Sequence, residues 1–206
     1  MLYCEGRHKP KFRGVLHASA ALPLPAIGFT VLLTKCNSTL SVLCAFLTSI
    51  CMFLCLATSG MYHCNNWKKE TELFIKDLDH ACILFVALGS YLPLSFFALP
   101  TNIGFYFAMY VISTVFCGFA WIMNGGNALI AHLISGSAIL FVLKYFYNKW
   151  LAFHIFMVVV IYTIGLIIFK SQKPILFPDT FGYHELFHVI VIVSMIYTYY
   201  IHYHFY

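Results

Sequence analysis

The sequence predicts an all-α membrane protein, a bundle of seven transmembrane helices with its N-terminus in the cytoplasm and its C-terminus outside. Composition is the first reason. Hydrophobic residues make up 62% of the 206 residues and charged residues only 9%, whereas a soluble domain carries about 25% charged residues. The mean hydropathy is +0.85. The second reason is the regular recurrence of span-length apolar runs, and the third is the uneven distribution of Lys and Arg among the loops.

Seven apolar runs follow one another with short polar breaks between them. A spanning helix needs about 20 mostly apolar residues, so seven of them use about 140 residues and leave room only for short loops. We therefore expect one membrane domain over residues 1–206. The runs cover residues 14–34, 39–62, 80–99, 103–123, 126–143, 150–169 and 184–204.

The first run follows a basic stretch, Arg7 to Arg13, as a secretory signal peptide would. The apolar core of a signal peptide has about 7–15 residues, and the run from Gly14 to Leu33 is longer. We therefore interpret it as a first spanning helix that stays in the protein. Pro23 and Pro25 are expected to kink this helix, which neighbouring helices can tolerate.

Lys and Arg predict the orientation, because cytoplasmic loops are enriched in these residues. With the N-terminus inside, nine of the twelve basic residues and all seven acidic residues lie on the cytoplasmic side. The nine are Arg7, Lys9, Lys11, Arg13, Lys68, Lys69, Lys76, Lys170 and Lys173. The other three are Lys35, Lys144 and Lys149.

Charge and cysteine content exclude other classes of protein. The net charge of +5 comes from loops beside apolar runs, so we expect no nucleic-acid partner. The eight cysteines form no CxxC pair and most lie inside apolar runs, which is typical of free thiols that pack as small hydrophobic groups. Nothing in the sequence indicates a protein partner.

Three polar clusters lie at the predicted cytoplasmic ends of their helices. They are Ser59–His63 at the end of the second run, Asp77–His80 before the third, and His184–His188 at the start of the seventh. Ionisable groups are costly in a bilayer, which makes each cluster a functional candidate. The topology places all three in one layer, although they are far apart in sequence.

The histidine spacing predicts a metal site. His184 and His188 are four residues apart and share one helix face. His63 supplies a third imidazole and leaves a fourth position for water, which is the pattern of catalytic zinc. Zinc (Zn²⁺) is the preferred ion, although imidazole also suits copper, iron and nickel. Cys64 is a further possible ligand, but its side chain points away from that of His63 on a continuous helix.

The carboxylates allow several roles. The segment HELFH matches the HExxH motif of zinc peptidases, in which the Glu is the general base, so Glu185 is either a base or a supporting or surface group. Asp77 and Asp79 are expected at a helix start, where they would cap it. Asp79 is alternatively the group that accepts a proton from the water, and Ser59 would then donate to the developing oxyanion.

At these residues the chain resembles the hemolysin III family, seven-helix bacterial membrane proteins related to the adiponectin and progestin receptors and grouped with the alkaline ceramidases. The resemblance runs in order from about residue 7 to the C-terminus. It rests on four motifs: RHKPKFRGVLH (Arg7–His17), SGMYH (Ser59–His63), LDHACILFVALGSYLP (Leu78–Pro93) and FGYHELFH (Phe181–His188).

The resemblance implies specific roles. The receptors hold zinc with three histidines and place an Asp against the zinc-bound water. The matching positions here, with the family's serine, are Ser59, His63, Asp79, His184 and His188. The receptors lack a Glu between the paired histidines, which disfavours Glu185 as base. By analogy with the family, a bacterial inner membrane is expected. His17 lies in a family motif, either against the site or, as we favour, facing headgroups. The other histidines, His8, His80, His132, His154, His202 and His204, are expected at interfaces or in packing.

Three classes of function remain open. The leading hypothesis is a zinc-dependent hydrolase that acts on an amide or ester bond of a membrane lipid, such as a ceramide-like molecule. The second is a non-enzymatic cytolysin or pore former, implied by the family. The third is a receptor-like protein whose zinc only ties helices together. An intramembrane peptidase rests on HELFH alone.

Overall fold

The structure is a computed structural model that describes residues 9–206. Within this range it contains eight α-helices, one 3₁₀ turn and no strand. The helices are α1 Val15–Ala20, α2 Pro23–Leu33, α3 Thr39–Cys64, α4 Lys69–Phe97, α5 Thr101–Met123, α6 Ala128–Val142, α7 Lys149–Ser171 and α8 Tyr183–Tyr203.

These helices confirm the predicted all-α bundle with seven spans, and the chain is an integral, multi-pass membrane protein. The first span is Val15–Leu33, with α1 and α2 end to end. Helix α2 begins at Pro23, whose missing N–H suits the first turn of a helix. The predicted break at the prolines is therefore confirmed, and it separates α1 from the rest of the span.

Helix α4 corrects one prediction. It has 29 residues and begins at Lys69, well before the apolar run that starts at residue 80. At 1.5 Å per residue it is about 43 Å long, so its first turns extend beyond about 30 Å of hydrocarbon. Asp77 and Asp79 consequently lie in the third turn, and the prediction that they cap a helix is wrong. Glu70 and Glu72 occupy the first turn instead.

Helices α3, α4 and α8 carry all the predicted site residues. Helices α3 and α4 pack closely against each other, and side chains of α8 contact both of them. A buried hydrogen-bond network connects these three helices at the end of the bundle that lies farther from residue 9. Thr48 of α3 donates to the carbonyl oxygen of Gly89 at 2.8 Å, and its hydroxyl lies 3.3 Å from His202 Nδ1 of α8. His202 Nε2 donates to the carbonyl oxygen of Ser90 at 3.1 Å. His202 is thus a packing residue, as expected. The opposite end, where α3 ends and α4 and α8 begin, is called here the N-terminal end of the bundle.

Candidate metal centre

The N-terminal end of the bundle brings three histidines together. His63 is the second-last residue of α3, and His184 and His188 lie on the first two turns of α8. Each offers a ligand atom within 4.8 Å of the others. His63 and His188 are buried and His184 is half-buried. The three histidines form a group that could hold a metal ion.

The ring spacing fits a tetrahedral ion. The ring centres are 4.7 Å apart for His184 and His188, 4.9 Å for His63 and His184, and 5.2 Å for His63 and His188. Imidazoles that share one tetrahedral ion at a metal–nitrogen distance of about 2.0 Å have ring centres about 5 Å apart. The spacing of the rings therefore suits a divalent metal ion.

One buried nitrogen supports the same conclusion. His188 Nδ1 is buried and has no hydrogen-bond partner anywhere in residues 9–206. Buried polar atoms nearly always have a partner, so this nitrogen is available to an ion or another group from outside the chain. Cys64 does not join the three histidines in the group identified among these residues. With three protein ligands, a fourth position is left on the ion.

Asp79 and Ser59 lie beside the histidines. The Ser59 hydroxyl donates a hydrogen bond to the Asp79 carboxyl group. Asp79 Oδ2 is 3.8 Å from His63 Nε2, and both Asp79 and Ser59 are buried. Asp79 is not in the ligand group. It is close enough to contact a molecule at the fourth position of an ion that the histidines hold.

Glu185 is held by groups other than the three histidines and is not in the ligand group. Its Oε1 lies 2.5 Å from Arg13 Nε. Its Oε2 accepts a hydrogen bond from the Gly182 backbone N–H at 2.7 Å, at the start of α8. The side chain is 0% exposed. Both oxygens therefore have partners within the chain, which favours the supporting role of Glu185 over the role of base.

His17 corrects a second expectation, because it lies against the site and not among headgroups. Its ring stacks on that of His188 with centres 3.9 Å apart and planes 20° apart. Its Nε2 is 3.3 Å from the carbonyl oxygen of His188. This spacing is too close for two ligands of one tetrahedral ion, which need about 5 Å. His17 is therefore a neighbour of the ligands and not a fourth ligand.

A cavity of about 500 Å³ opens beside the histidines. This volume lies within the usual range for sites that bind small molecules. Its walls combine the metal-ligand group and Asp79 with apolar side chains, among them Ile83, Leu166 and Phe187. His80 and His132 line the far side, where His132 Nε2 donates to the carbonyl oxygen of His80 at 2.8 Å. The site is thus joined to a space large enough for part of an amphiphilic molecule.

The five predicted site residues come together here. Two further residues contact the site. Arg13 was not predicted there, and His17 was considered there but expected among headgroups. Both lie in the motif Arg7–His17, at the start of the first span. His8 of the same motif lies outside the described residues.

A family model described as Haemolysin-III related matches residues 5–199, nearly the whole chain. No solved structure matches the chain.

Proposed function

Since the chain belongs to the Haemolysin-III related family, we propose that it is a zinc-dependent hydrolase that cleaves an amide or ester bond of a membrane lipid at the cytoplasmic side of the bilayer. The observation that carries the proposal is the set of three imidazoles at tetrahedral spacing next to a buried carboxyl group. Catalytic zinc sites typically combine three protein ligands with one open position.

His63, His184 and His188 would hold the ion. Zinc, when bound, supplies Lewis acidity that lowers the pKa of a water molecule towards 7. Imidazole also binds other divalent metals, and zinc is proposed because three histidines with one open position are a known donor set of catalytic zinc sites.

Asp79 would accept the proton of the attacking water, because its carboxyl group lies beside the ligands without being one of them. The water oxygen forms a bond to the carbonyl carbon, and the bond from that carbon to the leaving nitrogen or oxygen breaks. Asp79 then passes the proton to the leaving group. The products are a carboxylic acid and an amine or alcohol.

Ser59 would turn from Asp79 to the substrate during the reaction. Its hydroxyl donates to Asp79 in the resting site. Once Asp79 has taken a proton it is a weaker acceptor, and the hydroxyl is then able to donate to the negative charge on the carbonyl oxygen.

A lipid is the proposed substrate because the cavity lies within a bundle of membrane-spanning helices and has apolar walls. Helices α6 and α7 both line the cavity, yet they pack only sparsely against each other. An acyl chain would enter between them and lie along Leu166 and Phe187, with the amide or ester near Asp79. The predicted orientation, with the N-terminus inside, would place this reaction at the cytoplasmic side.

Metal content is the first test. Detergent-purified protein should contain about one zinc per chain, and a variant with His184→Ala and His188→Ala should contain none. Folded wild-type protein that takes up no metal when zinc is supplied would contradict the proposal.

Turnover of a fluorescent ceramide and a fluorescent fatty-acyl ester in mixed micelles is the second test. Asp79→Asn should keep its zinc and lose activity by about 10²–10⁴-fold, the usual range for a general base. The control is Glu70→Gln, an exposed carboxylate on the same helix, which should be active. Wild-type protein that binds zinc and cleaves neither substrate would favour a zinc ion that only ties helices together.

A further inference from the structure

The segment before and inside α1, residues 9–17, touches both helices that carry the metal ligands; it is called here the N-terminal clamp. At one side the Lys9 ammonium group donates to the carbonyl oxygen of Asn65 at 2.7 Å, immediately after α3. A cation is favourable at that end of a helix because the helix dipole is negative there. On the other side the backbone N–H groups of Lys11 and Phe12 donate to the carbonyl oxygens of Asp179 and Thr180, just before α8.

The clamp also packs directly on two of the ligands. Gly14 adopts a φ of +82°, and a Cβ atom added there would lie 2.5 Å from His63 Cβ. His17 stacks on His188 and contacts its backbone oxygen. The N-terminal clamp therefore restricts the position of His63 on α3 and of His188 on α8.

Arg13 completes the contact with α8, beside the third ligand. Its guanidinium group pairs with Glu185, the residue that follows His184. The pair is partly buried, with side-chain exposures of 13% for Arg13 and 0% for Glu185. A charge pair of this kind is held strongly, since removal of either partner leaves the other charge buried and uncompensated.

We propose that the N-terminal clamp sets the spacing of the three histidines, and that Arg13 is its main positioning residue, with Glu185 as the anchor on α8 in place of a proton acceptor. This inference deepens the proposed function, because it rests on the metal site but not on the reaction. Supporting groups around metal ligands commonly change affinity by 10–100-fold when they are removed.

Cobalt(II) binding to the purified full chain tests the inference, because tetrahedral cobalt reports ligand geometry through its visible absorption. Arg13→Met and Glu185→Gln should each weaken cobalt affinity by about 10–100-fold and shift the absorption bands. In the double variant, cobalt affinity should fall by less than the product of the two single fold-changes, since both charges are removed together. Arg13→Lys should recover part of the affinity.

Lys11→Met is the matched control. Lys11 lies in the clamp and is exposed, and only its backbone N–H contacts the loop before α8. This variant loses one positive charge from the same segment and should bind cobalt like the wild type. Thermal unfolding of every variant without metal identifies any loss that comes from misfolding, because general destabilisation lowers the amount of bound cobalt without shifting its bands.

The outcomes separate the inference from the proposed function. If wild-type protein binds cobalt and Glu185→Gln binds it equally well with unchanged bands, the clamp does not position the ligands. Glu185→Gln with full affinity and no turnover would instead identify Glu185 as the base and overturn the inference. Zinc-loaded wild-type protein without hydrolase activity would contradict the proposed function and leave the clamp intact.

Discussion

Gly14 shows how closely single residues are fitted around the histidines. Its backbone is in the left-handed region, which costs a residue with a side chain about 1–3 kcal/mol. There is also no room for a Cβ atom beside His63. Conformation and space therefore both require glycine at this position.

Gly14→Ala is expected to lower stability by roughly 1–3 kcal/mol and to weaken zinc binding, because His63 must move to make room. Thermal unfolding and zinc titration measure the two effects. The control is Gly136→Ala on α6, where an added Cβ meets nothing within 4 Å. That change should leave zinc affinity unaltered and slightly favour the helix. Equal zinc affinity in both variants would argue against close packing at Gly14.

Ser59→Ala is expected to keep its zinc and to lower turnover by about 10²-fold, the usual effect of losing one donor to an oxyanion. The measurement is kcat on whichever lipid substrate proves active, together with metal content. Ser113→Ala on α5 is the control, because that exposed hydroxyl donates to Tyr110 of its own helix. If Ser59→Ala is as active as wild type, the Ser59 hydroxyl contacts Asp79 but takes no part in the reaction.

The site residues differ in how far the sequence predicted them. His184 and His188 follow from helical spacing alone, and His63 and Asp79 follow from the depth at which their helices end or begin. Arg13 and His17 required tertiary structure, because their partners Glu185 and His188 lie more than 170 positions later in the chain. The helical period says nothing about such distant pairs.

Helix α4 shows why the ends of elements were harder to predict than their centres. Hydropathy marks the part of a helix inside hydrocarbon, and the charged residues Lys69 to Asp77 were assigned to a loop for that reason. Those residues are nevertheless good helix formers, and the helix continues through them into the aqueous layer. The rigid extension carries Asp79 to the site.

The network of Thr48, His202 and Ser90 should stabilise the bundle without affecting the metal. Thr48→Val is expected to cost roughly 0.5–1.5 kcal/mol, the range for hydrogen bonds between membrane helices, with unchanged zinc content. Thr163→Val is the control, because that exposed hydroxyl donates only to Val159 of its own helix. Thermal unfolding in detergent measures the stability of both variants against the wild type. A loss of zinc in Thr48→Val would show that the two ends of the bundle are coupled.

For the whole molecule, a bound ion should act as a crosslink between α3 and α8. A ligand that binds only the folded state stabilises it by about 2.7 kcal/mol at a concentration 100 times its Kd. A chelator should therefore lower the unfolding temperature of the wild type, and zinc should restore it. The variant with His184→Ala and His188→Ala should not respond to either treatment. A chelator response in that variant would place the metal elsewhere.

Seven spans and an all-α bundle followed from composition and run length, because the bilayer imposes both. The contacts among spans did not follow, since lipid-facing and protein-facing surfaces are both apolar and hydropathy does not distinguish them. Phe141 is 73% exposed and Met195 is fully buried, yet both are simply apolar residues of a span. Only the polar groups, which avoid lipid, indicated in the sequence which helices meet.

The ribosome adds the three histidines of the candidate metal centre to the chain at very different times. His63 leaves the ribosome 121 residues before His184 (184 minus 63). Until α8 has entered the membrane, a nascent chain offers one of its three imidazoles and a buried carboxyl group with no ion nearby. Under the proposed function, capture of the ion by all three histidines would therefore be among the last steps of maturation, after the final helix has packed against the bundle.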